Sequence, residues 1–183
     1  MKVGVVAFAL LMGFVTTTRA QSADTKPDII LSAGPDAGLP LGNFKDNFNW
    51  SIGGSIQGDF AVVKRALYVT VNAGYDNFFS ANNAYANGKN LELIPVKAGL
   101  KYYPVKNLYI QGQAGVSFLV NKSDLGADNS AVFAYSPQIG YLIPLGGKNY
   151  LDAGVKFESD AKFVNDGSTS NFLGLHVAYA FGL

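Results

Sequence analysis

The end of the chain reads Leu173-Gly174-Leu175-His176-Val177-Ala178-Tyr179-Ala180-Phe181-Gly182-Leu183. Large apolar residues occupy every second position, and the positions between them hold Gly, Ala and one His. Because side chains alternate between the two faces of a β-strand, this period predicts a strand with one apolar face and one small, partly polar face. The same alternation recurs along the chain and helical periodicity is scarce, so the sequence predicts an all-β protein.

Eight such segments follow one another at regular spacing. They begin near residues 29, 50, 67, 91, 108, 132, 150 and 171. Short connections (63–66, 104–107, 145–149) alternate with longer ones rich in Asn, Asp, Gly and Ser (42–49, 78–90, 121–130, 164–170). An even number of strands with tight turns at one end and longer loops at the other is typical of an up-and-down transmembrane barrel, in which the tight turns are periplasmic. Both termini then lie at the turn end, on the periplasmic side.

The residues on the two faces separate a membrane barrel from a soluble one such as a lipocalin. Over strands two to eight, the apolar face holds no charged, amide or small hydroxyl side chain, whereas Gly, Ser, Gln and Ala dominate the other face. A soluble barrel needs a charged exterior, but only 15% of this chain is charged. A Lys or Arg facing lipid at the midplane costs roughly 2–4 kcal/mol. The apolar face therefore faces lipid, which predicts an eight-stranded antiparallel up-and-down transmembrane β-barrel.

Aromatic residues on the apolar face form two groups, as expected where a membrane meets water. Alternating strand directions place one group toward the loop end: Trp50, Tyr75, Phe118, Phe133, Tyr135 and Phe157. The other group falls toward the turn end: Phe60, Tyr102, Tyr141, Tyr179 and Phe181.

The N-terminus has the pattern of a secretory signal peptide. A basic start at Met1-Lys2 precedes an apolar run from Val3 to Val15, and Thr18 and Ala20 fit a small-x-small cleavage site. The run is too short to span a bilayer, which takes about 20 apolar residues. We therefore expect residues 1–20 to be removed and residues 21–183 to form one barrel domain.

Composition excludes several functional classes. A net charge of +1 argues against nucleic acid as a partner. The absence of Cys excludes thiol catalysis, disulfides, iron–sulfur clusters, cysteinyl zinc sites and a lipoprotein anchor. No cofactor is predicted, and the lone His gives little basis for a metal site.

The segment Ile94-Pro95-Val96-Lys97-Ala98-Gly99-Leu100-Lys101-Tyr102-Tyr103 resembles the I-P-V-x-x-G-x-K-Y-Y stretch of the small outer-membrane β-barrel domain family of Gram-negative bacteria. This group, often labelled the porin family, is similar in architecture to the OmpA and OmpX barrels. The ending Tyr179, Phe181 and Leu183 also resembles the signal read by the outer-membrane insertion machinery, although many such barrels end in Phe. The resemblance implies that the partners are outer-membrane lipid, lipopolysaccharide, the insertion machinery and periplasmic chaperones, with a monomeric barrel.

Prolines interrupt the strand patterns at Pro35, Pro95 and Pro137. Proline cannot donate to a β-ladder, so we expect bulges at these positions or placement near the barrel rim. Pro35 and Pro40 make the first strand the hardest to place.

Catalytic patterns are sparse. Some eight-stranded outer-membrane barrels are lipid A deacylases or palmitoyl transferases, and hydrolysis of that kind needs a base beside a nucleophile. The only His, His176, lies on the inner face, and Ala178 stands where an H-x-S pair would need Ser. We therefore expect no enzymatic activity and a place for His176 in an interior hydrogen-bond network. Four acids assigned to loops could bind a divalent cation or simply be solvated: Asp124, Asp128, Asp160 and Asp166.

Charged residues on the inner face carry the main functional question. With His176 they are Asp59, Lys97, Lys101, Asp152, Lys156 and Glu158. One interpretation is a hydrogen-bonded, ion-paired network that fills the lumen; the other is a path or site for a small polar solute. Eight strands enclose little more than their own side chains, which favours the filled lumen.

Three functional hypotheses follow. The first is a barrel with a structural or surface-interaction role through its outer loops, which are short for a dedicated receptor. The second is a narrow channel for small solutes or ions. The third is a lipid-modifying enzyme.

Overall fold

Eight antiparallel strands close into a barrel in which sequence neighbours pair and the first strand pairs with the last. The computed structural model describes residues 26–64, 66–81, 88–125, 127–165 and 167–183, except the side chain of Asp124. The strands are β1 (Ile29–Leu41), β2 (Phe48–Val63), β3 (Leu67–Ser80), β4 (Leu91–Tyr102), β5 (Leu108–Leu119), β6 (Ala131–Gly146), β7 (Asn149–Asp160) and β8 (Ser170–Gly182). The predicted fold class is confirmed, and the predicted signal peptide (1–20) lies outside the described residues.

The connections differ in length at the two ends of the barrel. The loop end carries a 3-10 helix at Gly42–Asp46 between β1 and β2, and a short helix, α1 (Lys122–Leu125), between β5 and β6. The turn end carries the connections 64–66, 103–107 and 147–148, together with the start of β1 and the end of β8. The predicted loops 42–49 and 78–90 were too long, because β2 begins at Phe48 and residues 78–80 continue β3. Among the described residues, no helix is long and apolar enough to cross a bilayer.

The outer surface of the barrel is apolar. Most large side chains at the predicted outward positions are exposed, including Ile56 at 64% and Phe133 at 59%. At the loop end, the rings of Trp50 and Phe79 lie 4.5 Å apart, and Tyr135 contacts the rings of Phe133 and Phe157. Because the barrel is closed, no described strand has an exposed edge with unpaired backbone groups. A closed barrel with an apolar exterior is typical of proteins that cross a membrane with β-strands.

The prediction of bulges or rim placement at the strand prolines was wrong. Pairing between β1 and β8 stops at Ala33 and resumes at Asp36 in the same register, so Pro35 opens a gap without a bulge. Matching gaps surround Pro95 in the β3–β4 ladder and Pro137 in the β6–β7 ladder. Since the N–H and C=O of one residue point to the same neighbouring strand, a proline disturbs only one of its two ladders. The other ladder stays paired at all three positions.

Candidate functional site

The barrel interior is filled by side chains in three layers along its axis. The turn-end layer comprises Ile30, Tyr68, Tyr103, Tyr109, Leu142, Tyr150 and Ala180. The mouth layer, at the loop end, comprises Phe44, Phe48, Phe78, Leu91, Leu93, Leu119, Val132, Phe163 and Phe172. Between them lies a polar layer of charged, amide and hydroxyl side chains.

All seven predicted inner charged or titratable residues lie in the polar layer, and none is more than 8% exposed. The alternation of each strand places them inward, and the barrel closure brings residues of β2, β4, β7 and β8 together. They form two groups, which we name the Lys101 network and the Lys156 network after their central lysines.

The Lys101 network pairs one lysine with two carboxylates. Lys101 Nζ lies 2.7 Å from Asp59 Oδ2 and 3.2 Å from Asp152 Oδ2. The Tyr109 hydroxyl donates to Asp152 Oδ1 at 2.6 Å, and the Lys101 ammonium lies 4.5 Å from the centre of the Tyr109 ring. Burying a charge is costly unless it is paired and hydrogen-bonded, and each charge here has such partners.

Two glycines make room for Tyr109 in this network. A Cβ at Gly140 would collide with the Tyr109 phenol, and a Cβ at Gly154 would lie 2.8 Å from its hydroxyl oxygen. Gln138 Nε2 donates to that oxygen at 2.7 Å, so the hydroxyl both donates and accepts. Further amide hydrogen bonds connect opposite walls of the barrel through Gln57, Thr70, Gln111 and Gln113.

The Lys156 network lies closer to the loop end. Lys156 Nζ lies 3.5 Å from both Asp36 Oδ1 and Glu158 Oε2, and Glu158 also pairs with Lys97. His176 Nδ1 lies 3.0 Å from Asp36 Oδ1. Because a carboxylate only accepts hydrogen bonds, this contact assigns the proton to Nδ1 of His176.

Sequence reasoning missed three inner carboxylates, which belong to Asp36, Asp76 and Asp160. Asp160, interpreted as a loop acid, instead ends β7, is fully buried and accepts a 2.7 Å hydrogen bond from Ser117 Oγ. Applying the period of two to the first strand, and one residue past Tyr75 in the third, would have placed Asp36 and Asp76 inward. With these residues, six buried carboxylates face three buried lysines and one histidine among the described residues.

Of the three remaining loop acids, Asp128 alone has a described side chain. The side chain of Asp128 accepts the backbone N–H of Asn165 at 2.8 Å and so braces a loop. Asp124 and Asp166 carry no described side chain. Among the described residues, no group of three or more His, Cys, Asp or Glu is placed to hold a metal ion.

The residue types of a hydrolytic triad meet in the polar layer, but their order of contact is wrong for catalysis. The three residues are Ser55, Asp36 and His176. Ser55 Oγ donates to Asp36 Oδ2 at 2.7 Å, while His176 contacts the other oxygen of the same carboxylate. In a triad, the histidine stands between serine and carboxylate and removes the serine proton. Here the carboxylate stands in the middle, and its contacts with Ser55 and His176 join β1, β2 and β8.

Residues preceding β1 cover the turn end of the lumen. The hydroxyl of Tyr68 donates to the carbonyl of Pro27 at 2.9 Å, and Lys26 Nζ lies 3.5 Å from the centre of the Tyr103 ring. Burial raises the pKa of Tyr103, whose hydroxyl has no hydrogen-bond partner among the described residues. Near this end, Tyr179, Phe181 and Leu183 of the proposed insertion signal are exposed.

The mouth layer is closed by aromatic rings from the strands and connections. Phe44, in the 3-10 helix, contacts Phe48 and Phe78 with ring centres 5.0 and 5.1 Å apart. Phe78 contacts Phe172 across the barrel at 4.9 Å. A phenylalanine inside the polar connection 42–47 was a signal that could have identified this layer from the sequence.

Comparison with known proteins supports the barrel architecture. No protein-family model matches the chain, and no curated protein matches it. The structure is similar to that of Ail, the attachment invasion locus protein of Yersinia pestis, with a TM-score of 0.55 and 12% identity over 85% of this chain and 99% of that one. It is also similar to the outer membrane protein OprG from Pseudomonas aeruginosa, with a TM-score of 0.50 and 12% identity over 87% and 98% of the two chains. At this identity the likeness establishes a shared fold.

Proposed function

We propose that this protein is an integral outer-membrane β-barrel with a non-conducting lumen and a structural or surface-interaction role carried by its loop end. The observation that supports this most directly is the continuous filling of the lumen. Two apolar layers enclose a polar layer whose lysines pair with carboxylates at 2.7–3.5 Å. An ion crossing the barrel would have to separate these pairs and both apolar layers.

The proposed orientation puts the turn end in the periplasm and the loop end at the cell surface. Short periplasmic turns and longer outer loops are the rule in outer-membrane barrels. The apolar exterior suits contact with outer-membrane lipid and lipopolysaccharide. Tyr179, Phe181 and Leu183 are the proposed contact with the insertion machinery, and periplasmic chaperones would deliver the chain before insertion. Membership of the small outer-membrane barrel family and a monomeric state complete the proposal.

Conductance across a planar bilayer tests the filled lumen. We expect the purified barrel to give no discrete openings, whereas a sixteen-stranded porin inserted in the same way gives them. Steady openings from this protein would overturn the proposal and favour a narrow channel. Such a channel should prefer cations, because carboxylates outnumber lysines in the polar layer.

The absence of enzymatic activity is tested separately. We propose that Ser55 and His176 are structural, since Asp36 separates them and apolar layers enclose them. The acyl composition of lipid A should be the same in cells with the native protein, with Ser55→Ala and without the gene. An acyl change produced by the native protein and lost in Ser55→Ala would support the enzyme hypothesis instead.

A further inference from the structure

A cavity of about 340 Å³ opens among the connections at the loop end. Its apolar lining comes from Phe44, Phe48, Leu91, Leu119 and Phe163. A cavity of roughly 150 Å³ lined by similar side chains is large enough to bind benzene, and ligand pockets begin at about 300 Å³. The cavity therefore has room for a molecule of one or two rings or a short aliphatic chain.

The polar side chains that line the cavity are uncharged. They come from Asn43, Asn47 and the segment 168–170, and no charged residue is among the described residues that line it. A charged ligand would lose hydration without gaining a partner. An uncharged ligand could place an apolar body against the rings and one hydrogen-bonding group against the amides and hydroxyls.

Hydrogen bonds between connections hold the cavity in shape. Asn43 Nδ2 donates to Ser168 Oγ at 3.1 Å, which joins the first and last loop-end connections. The backbone N–H groups of Asp128 and Asn129 donate to the carbonyl of Phe163 at 3.0 and 2.9 Å, which joins the third connection to the last. A site already ordered before binding loses less entropy when a ligand enters.

Buried side chains close the inner end of the cavity, so it is not the entrance to a channel. Leu93 and Phe172 lie one inward position deeper along their strands than the lining residues Leu91 and Ser170, and each is at most 2% exposed. From these features we propose that the mouth cavity binds one small, uncharged, mainly apolar molecule with a single hydrogen-bonding group. This site goes beyond the proposed structural role and is independent of whether the lumen conducts.

The test is titration of the purified full barrel in detergent with 2-naphthol as a ring probe and 1-octanol as a chain probe. Calorimetry should give saturable binding, and the methyl NMR signals of Leu91, Leu119 and Leu125 should shift while that of the lipid-facing Leu175 stays in place. The tighter of the two probes would indicate whether the natural ligand is a ring compound or an aliphatic chain.

Matched variants locate the binding site. Ala127 lines the cavity, so Ala127→Phe should fill it and weaken probe binding about tenfold or more. Ala131→Phe adds the same side chain at the exposed start of β6 and should leave binding unchanged. If Ala127→Phe does not keep the gel mobility of a folded barrel, Leu125→Ala is used, which widens the cavity and should change the relative affinities of the probes. Two results would overturn the proposal by showing that the probe dissolves in the detergent shell. One is the same probe affinity in all variants, and the other is a methyl shift at Leu175 as large as those of the cavity leucines.

Discussion

The two apolar layers of the lumen close its ends in different ways. At the turn end, Tyr109 and Tyr68 are fully buried and each hydroxyl has a hydrogen-bond partner, in Asp152 and in the carbonyl of Pro27. At the mouth, the side chains of the layer are phenylalanine, leucine and valine, which pack without side-chain hydrogen bonds and leave the cavity of about 340 Å³. Directional partners hold Tyr68 and Tyr109 in one place, whereas packing alone tolerates unfilled space.

This contrast gives the barrel one rigid end, the turn end, and one end with space for a small molecule, the mouth. The turn end is connected to the Lys101 network, so a change there disturbs buried charge. The mouth is connected to loops, so a change there mainly alters packing and space. Substitutions at the two ends should therefore differ in size and kind, and the variants below test this from the largest expected effect to the smallest. In each case stability is measured by urea unfolding in lipid vesicles, with the single Trp50 as fluorescent reporter.

The largest loss is expected for Lys101→Met. The substitution keeps most of the side-chain volume but leaves Asp59 and Asp152 buried without their cation, which should cost about 3–5 kcal/mol of unfolding free energy. The control is Lys64→Met, which removes an exposed pair with Asp28 at 3.7 Å and should cost less than about 1 kcal/mol. Adding Asp59→Asn and Asp152→Asn to Lys101→Met should restore part of the loss. Equal stabilities for Lys101→Met and Lys64→Met would contradict the role assigned to buried charge.

At the mouth, Phe78→Ala should cost roughly 3 kcal/mol, the low end for a buried phenylalanine. The ring contacts Phe44, Phe48 and Phe172, and its loss would join new space to the existing cavity. Phe79→Ala removes a neighbouring ring that packs on Trp50 at the outer surface, where lipid can replace the contact. A smaller loss for Phe78→Ala than for Phe79→Ala would show that the mouth layer is not a packed core.

Removing a tyrosine hydroxyl at the turn end should lower the free energy of unfolding by an intermediate amount where that hydroxyl has hydrogen-bond partners. Tyr109→Phe leaves Asp152 Oδ1 and the Gln138 amide without their hydroxyl partner and should cost about 1–3 kcal/mol. Tyr103→Phe removes a buried hydroxyl that has no hydrogen-bond partner among the described residues and should be neutral or slightly stabilising. Similar losses for both variants would mean that ring packing, and not hydrogen bonding, closes the turn end.

The smallest effect is expected for Asn43→Ala. Its hydrogen bond to Ser168 is exposed, so the free energy of unfolding should fall by less than about 1 kcal/mol. Amide exchange in residues 167–170 should nevertheless become faster, because the first and last connections are no longer joined. Asn49→Ala, which removes an exposed hydrogen bond to Ser80, should leave exchange in 167–170 unchanged. Unchanged exchange in Asn43→Ala would argue against a mouth held by hydrogen bonds.

Much of the barrel could be predicted from local patterns, and the errors have physical causes. Strand number and the face of each residue follow from a period of two, which applies within each strand whatever its neighbours are. The prolines were misjudged because each one disturbs only one of its two ladders. The disturbed ladder is the one shared with the neighbouring strand that the residue's backbone N–H and C=O would face. Asp160 was assigned to a loop because the strand end is defined by pairing with Ala134, which the sequence does not show.

Within the predicted strands, the sequence by itself determined which face points inward. Side chains alternate between two faces, and only the uncharged face can be placed against lipid without a large cost. Only the tertiary structure decided which inward residues meet. Lys101 lies 42 and 51 positions from its carboxylate partners, and barrel closure sets those contacts. The mouth cavity was likewise decided by three separate connections meeting at one end, and no local pattern records the space left between them.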